Sequence, residues 1–134
     1  MQLIQLTQSL YVSGQPAPSD IPQLAELGFT LLICNRPDGE SPGQASMDDI
    51  EALARQQGME YMRYPVNPVN FPGEDLEGLG RIFDGPGKIL AYCRTGTRCT
   101  NLWVATRAPK DLPAALEQAQ ALGFDLSLVS RLSA

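Results

Sequence analysis

Apolar residues fall along this chain in short runs separated by amphipathic stretches, and the alternation predicts strands and helices in turn. Residues 3–6 (Leu-Ile-Gln-Leu) and 10–12 (Leu-Tyr-Val) predict an edge hairpin or strand pair, followed by a turn at Ser13-Gly14-Gln15-Pro16. Pro18-Ser19-Asp20 opens a helix with Ser19 or Asp20 as its cap. Ile21, Leu24 and Leu27 share one face of it, and Gly28 ends it. Phe29 to Cys34, apolar at every position but Thr30, reads as a buried strand. A helix from the Ser46 cap to Gln57 turns Met47, Ile50, Leu53 and Ala54 inward, and Gly58 closes it. Glu60 to Val66 alternates as a strand, and Glu74 to Phe83 reads as a helix. Lys88 to Tyr92 is a further apolar strand. Thr100 to Thr106 continues as a helix offering Leu102, Trp103 and Ala105 for packing. Beyond Pro109, Leu112 to Leu122 is helical, Gly123 ends it, and Asp125 caps a last short helix.

Strand followed by helix, repeated, predicts one α/β domain over residues 1–134: a mainly parallel central sheet with helices on both faces, and C-terminal helices at 110–134. Sheets of this kind bind ligands at the C-terminal ends of their strands. Three loops fall there: 35–45, 67–73 and 93–98.

Composition narrows the chemistry. The chain has 43% hydrophobic and 19% charged residues, ordinary for a globular protein. It has no apolar run long enough to span a membrane, and its first residues lack the pattern of a secretory signal, so a cytoplasmic location and no membrane partner are expected. A net charge of −5 argues against nucleic acid. Three cysteines without metal-site spacing suggest reduced thiols and no bound metal. With no histidine, His-based triads, Cys–His dyads and His-ligated zinc are excluded. Any proton donor is Asp, Glu, Cys, Tyr, Lys or water. Nothing in the chain fixes the oligomeric state.

The candidate chemistry lies in Tyr92-Cys93-Arg94-Thr95-Gly96-Thr97-Arg98-Cys99. A loop between a strand end and a helix start presents backbone N–H groups and the positive end of the helix dipole to an anion. A cysteine there has a depressed pKa. Cys93 is therefore the expected nucleophile, and the loop through Arg94, Thr95, Gly96, Thr97 and Arg98 the expected cradle for the anion it attacks. Arg94 reads equally as a solvated rim residue. Cys34, inside an apolar strand, reads as core, and Tyr92 and Trp103 as core or pocket wall.

Four motifs occur in order: Val12-Ser13-Gly14-Gln15-Pro16, Cys34-Asn35-Arg36-Pro37-Asp38-Gly39-Glu40, Tyr64-Pro65-Val66, and Tyr92 to Arg98 followed by Asn101-Leu102-Trp103. Across residues 3–107 the chain resembles the bacterial phosphatase-like domain of beta-lactamase-hydrolase-like proteins. That resemblance implies a protein-tyrosine-phosphatase-like α/β fold of the dual-specificity type and a Cys–Arg anion loop. It implies a small anionic substrate and no cofactor. Cys93 would attack phosphorus, Arg98 would bind two oxygens bidentately, and the loop amides would bind the rest. Asp38 is the first choice for the acid that protonates the leaving group, with Glu74 and Asp75 as alternatives. Arg36 is a further possible site residue, although Arg36 and Asp38 in a Pro-Asp-Gly turn could simply pair with each other. Glu74 and Asp75 could equally serve a helix N-terminus.

The loop differs from that of protein tyrosine phosphatases. Four residues separate Cys93 from Arg98 instead of five, Tyr92 stands where histidine would be, and Cys99 follows the arginine in place of Ser or Thr. The four-residue spacing also looks like the active loop of rhodanese-type sulfurtransferases, in which Cys93 would carry a persulfide and the substrate would be a sulfur donor; a third reading is a non-catalytic anion-binding domain that keeps the cradle without an acid. Cys99 reads as a resolving thiol or as a stand-in for the Ser.

Overall fold

The computed structural model describes residues 1–133. Its strands are β1 (Ile4–Gln5), β2 (Leu10–Ser13), β3 (Leu31–Cys34), β4 (Glu60–Arg63) and β5 (Ile89–Tyr92). Its helices are α1 (Ile21–Glu26), α2 (Met47–Gln56), α3 (Leu76–Phe83), α4 (Thr97–Ala105), α5 (Leu112–Ala121) and α6 (Ser127–Ser130). The sheet order is β1-β2-β5-β3-β4, parallel except for the β1 edge. β5 lies at the centre and is buried along its whole length.

Alternation along β5 divides the core. Ile89, Ala91 and Cys93 face α3, α4, α5 and α6, whereas Leu90 and Tyr92 face α1 and α2. β3 divides the same way, with Ile33 on the first side and Leu32 and Cys34 on the second. Each face is covered, as the continuous apolar strands require.

The boundaries differ from the sequence reading where backbone chemistry intervenes. β4 stops at Arg63 because Pro65 has no N–H to continue a ladder, yet Tyr64 and Val66 still donate to Cys34 O and Asn35 O. α3 begins at Leu76, two residues later than expected, because Asp75 is its cap and accepts from Gly78 N–H. The turn before α1 is 3-10 at Pro18–Asp20. Asp20 accepts from Ala17 N–H across this turn, and neither Ser19 nor Asp20 caps α1 with its side chain. α1 is short, and Leu27, expected on its apolar face, is half exposed beyond its end. α4 begins three residues earlier than expected, which brings Thr97 and Arg98 into its first turn.

The C-terminal segment is bound to the helix that follows the cysteine loop. Asn101, fully buried in α4, donates to Thr97 O at 2.8 Å and to Asp125 O at 2.8 Å. It accepts from Val129 N–H at 3.0 Å. Asn101→Ala leaves these groups without their partner and should cost about 2–3 kcal/mol in urea unfolding. A loss below about 0.5 kcal/mol would show that this cross-link contributes little.

Candidate active site

Cys93 follows β5 directly, and its side chain is fully buried on the α4 side of the sheet. Its amide donates to Ser13 O at 3.2 Å. The chain then turns at Gly96, whose φ of 88° is a conformation glycine adopts without strain. Gly14 meets this loop from β2. A Cβ on Gly14 would stand 2.8 Å from Arg94 O, so only glycine permits the approach. The first motif of the sequence thus holds the loop in shape.

The loop curls its donors onto the Cys93 sulfur. Gly96 N–H reaches Sγ at 3.1 Å. The Cys99 thiol hydrogen-bonds to the same sulfur and, with the amides of Cys99, Thr95 and Arg98, draws the Cys93 pKa down to about 5 against the cost of burial. Burial and the adjoining Cys93 sulfur push the Cys99 thiol far above its ordinary value, so at neutral pH it is the donor and Cys93 the thiolate. Thr95 and Thr97 share a hydroxyl hydrogen bond at the exposed rim, and Arg94 is exposed beside them.

Arg98 points back across the site to the 35–45 loop. Its Nη1 and Nη2 donate to the two carboxylate oxygens of Glu40, both at 2.7 Å, and Nη1 also donates to Val66 O at 2.9 Å. Glu40 accepts in addition from Arg36 Nε at 3.0 Å. Arg98, and then Arg36, hold the Glu40 carboxyl below the usual carboxylate range. Arg36 is itself buried, with Nη1 on Gln15 Oε1 and Nη2 on the Ser41 hydroxyl. It faces Glu40 and does not pair with Asp38.

The other expected residues lie elsewhere. Asp38 is exposed and accepts from Met47 N–H at 2.9 Å, at the start of α2. Asp75 caps α3, and Glu74 is exposed next to it. Tyr92 points to the opposite face of the sheet, where it hydrogen-bonds with Tyr61 beside the buried Cys34. Trp103 is core. Glu40 was missed by the sequence reading. A signal was present: an acid four residues after an arginine, on a loop at the strand ends.

Residues 2–110 match the family described as the phosphatase-like domain of beta-lactamase hydrolase-like proteins. The chain belongs to this family. The beta-lactamase hydrolase-like protein of Xylella fastidiosa is 33% identical over 132 residues, and that of Agrobacterium fabrum is 32% identical over 109. These matches cover 94% and 81% of this chain but only 30% and 25% of the relatives. The chain thus spans less than a third of their length. A solved structure of a candidate phosphatase from Neisseria meningitidis is 35% identical, with a TM-score of 0.76 over 98% of this chain and 96% of that one. A cysteine-to-serine form of TpbA from P. aeruginosa, solved in complex with pTyr, is 17% identical. Its TM-score is 0.61 over 98% of this chain and 90% of its own. At that identity the likeness concerns the fold, which is that of the protein-tyrosine-phosphatase-like enzymes, as the four motifs implied.

The origin of the thiolate gives a test. The ultraviolet absorbance of the Cys93 thiolate should titrate near pH 5 in the wild type, with Cys34 and Cys99 kept protonated by their raised pKa values. Cys99→Ala removes a hydrogen bond to a charged group, which is worth about 1.5–3 kcal/mol, and should raise the midpoint by about one to two pH units. Cys99→Ser keeps a donor and should hold it low. Equal midpoints in all three proteins would reject Cys99 as the donor. Because the folded-state pKa is depressed, the thiolate's contribution to stability is complete above the ordinary thiol pKa of 9.0. It is lost as pH falls through about 5.

Proposed function

We propose that this domain is a cysteine-dependent phosphohydrolase with Cys93 as nucleophile and Arg98 as anion-binding residue. The observation that carries the reading is the buried Cys93 sulfur, held as a thiolate by loop amides and the Cys99 thiol beside the Arg98 guanidinium. In the first step the thiolate attacks phosphorus, an S–P bond forms, and the ester P–O bond breaks. In the second, water attacks phosphorus, the S–P bond breaks, inorganic phosphate leaves, and the thiolate returns. The Cys99 thiol stabilises that leaving sulfur as it stabilises the resting one, in the place where a hydroxyl residue was expected. Arg94, Thr95, Gly96 and Thr97 form the rim and floor around the anion.

The leaving group takes a proton in the first step. Asp38, the first candidate on sequence, is bonded to the start of α2; Asp75 is bonded to α3; and Glu40 is held as a carboxylate between two arginines. This commitment of Asp38, Asp75 and Glu40 leaves the exposed Glu74 or water as the donor, and favours esters whose leaving group needs little protonation, such as aryl phosphates. The same observation supports a second reading, persulfide transfer from a sulfur donor through Cys93, in which no acid is required.

Parallel assays separate these readings. An aryl phosphate should be hydrolysed by the wild type and not by Cys93→Ser. Arg98→Lys, which loses the planar fork, should lower kcat/KM by about 10²–10³. Asp38→Asn should lower it less than about tenfold, whereas a general acid would be worth ~10²–10⁴. Turnover of thiosulfate and cyanide without phosphate release would replace the first reading with the second, and full activity in Cys93→Ser would overturn both.

A further inference from the structure

We propose that Glu40 is the positioning residue of Arg98: by taking one edge of the guanidinium it turns the other edge toward the anion. The argument rests on reading residues 93–98 as an anion loop, but it concerns a residue that this reading does not use. A guanidinium has five N–H donors in one plane. Glu40 takes one from Nη1 and one from Nη2, and Val66 O takes the second from Nη1. What remains, without a partner among the described residues, is Nε–H and the second hydrogen of Nη2. These two lie side by side on one edge of the plane and form a fork that matches two oxygens of a tetrahedral anion.

The carboxylate is fixed as firmly as the group it holds. Glu40 Oε1 also accepts from Arg36 Nε, and Glu40 N–H donates to Gln44 Oε1. Arg36 is 4% exposed and fastened at its other end by Gln15 and Ser41. Val66 is fixed through its own amide, which donates to Asn35 O. The Arg98 and Glu40 side chains are 14% and 24% exposed, so solvent screens the pair less than an open surface pair. Two in-plane bonds to a rigid carboxylate and a third to a backbone carbonyl leave the guanidinium no free rotation. An arginine without this clamp would pivot among several orientations before each binding event, and the ordering would be paid from binding.

The proposal predicts an effect of unusual sign. Glu40 is an anion next to an anion site, so charge alone says that Glu40→Gln should tighten binding of inorganic phosphate. Loss of orientation says that it should weaken binding. We expect Glu40→Gln to weaken phosphate binding by about tenfold, measured by calorimetry on this chain. Glu40→Asp keeps the charge but falls one methylene short, and it should weaken binding too. Unchanged or tighter binding in Glu40→Gln would overturn the proposal. A second measurement needs no variant. In ¹⁵N spectra of the wild type the Nη hydrogens of Arg98 should be resolved singly by hindered rotation, and Nε–H should shift when phosphate is added. Freely averaged Nη signals in the wild type would also overturn it, even if the variants fail to fold. Failure of the wild type to bind phosphate would instead remove the anion-site reading, leaving the Nη spectrum to decide the clamp by itself.

Discussion

A negative sulfur in a fully buried position is the constraint on which the rest of this site depends. Burial by itself would return the proton to Cys93, as it does for Cys34 on the opposite face of the same sheet. The two cysteines sit at the ends of neighbouring strands, yet one is pushed up and the other down. The difference lies in what surrounds each sulfur. Cys34 donates to Arg36 O and lies against two buried tyrosines, whereas Cys93 is ringed by backbone amides and the thiol of Cys99. Strand alternation decides which environment each side chain meets.

The cluster around that sulfur is close to neutral as a whole. Arg98 and Arg36 bring positive charge, Glu40 and the thiolate negative. Gln15, Ser41 and Val66 O take three further arginine donors, and among the described residues the Nε–H edge of Arg98 stays open. Each of the four sequence motifs contributes one part: Gln15 from the first, Arg36 and Glu40 from the second, Val66 from the third, Cys93 and Arg98 from the fourth. Segments far apart in sequence are thereby joined in a single hydrogen-bonded chain running from Gln15 through Arg36, Glu40 and Arg98 to Val66.

The fold was legible because its signals are periodic and local. Apolar runs at Phe29–Cys34 and Lys88–Tyr92, with helices between them, leave little choice but a parallel sheet. The turn after β5 was legible because Cys93, Gly96 and Arg98 lie within one short stretch. What could not be read was direction. The four-residue spacing of Arg36 and Glu40 permits their pair, but its choice over Asp38 depends on Arg98, which reaches Glu40 from 58 residues further along the chain. The same holds for Tyr92, placed by strand parity on the face away from Cys93. The early start of α4 was missed because threonine and arginine look like loop residues until Gly96 supplies the left-handed turn before them.

The C-terminal segment has a consequence for where this domain ends in a mechanical sense. The family match stops at residue 110, yet Asn101 ties Thr97 O to the Asp125–Val129 stretch. A side chain on Gly96 would likewise meet the Phe124 ring at ordinary contact distance. The cysteine loop therefore rests on a segment beyond the matched one. Force applied to the chain past α5 reaches the loop through the Asn101 bonds and through the packing of α5 and α6 on α4. The smallest unit that keeps the loop's shape is thus longer than the smallest unit that carries its motifs.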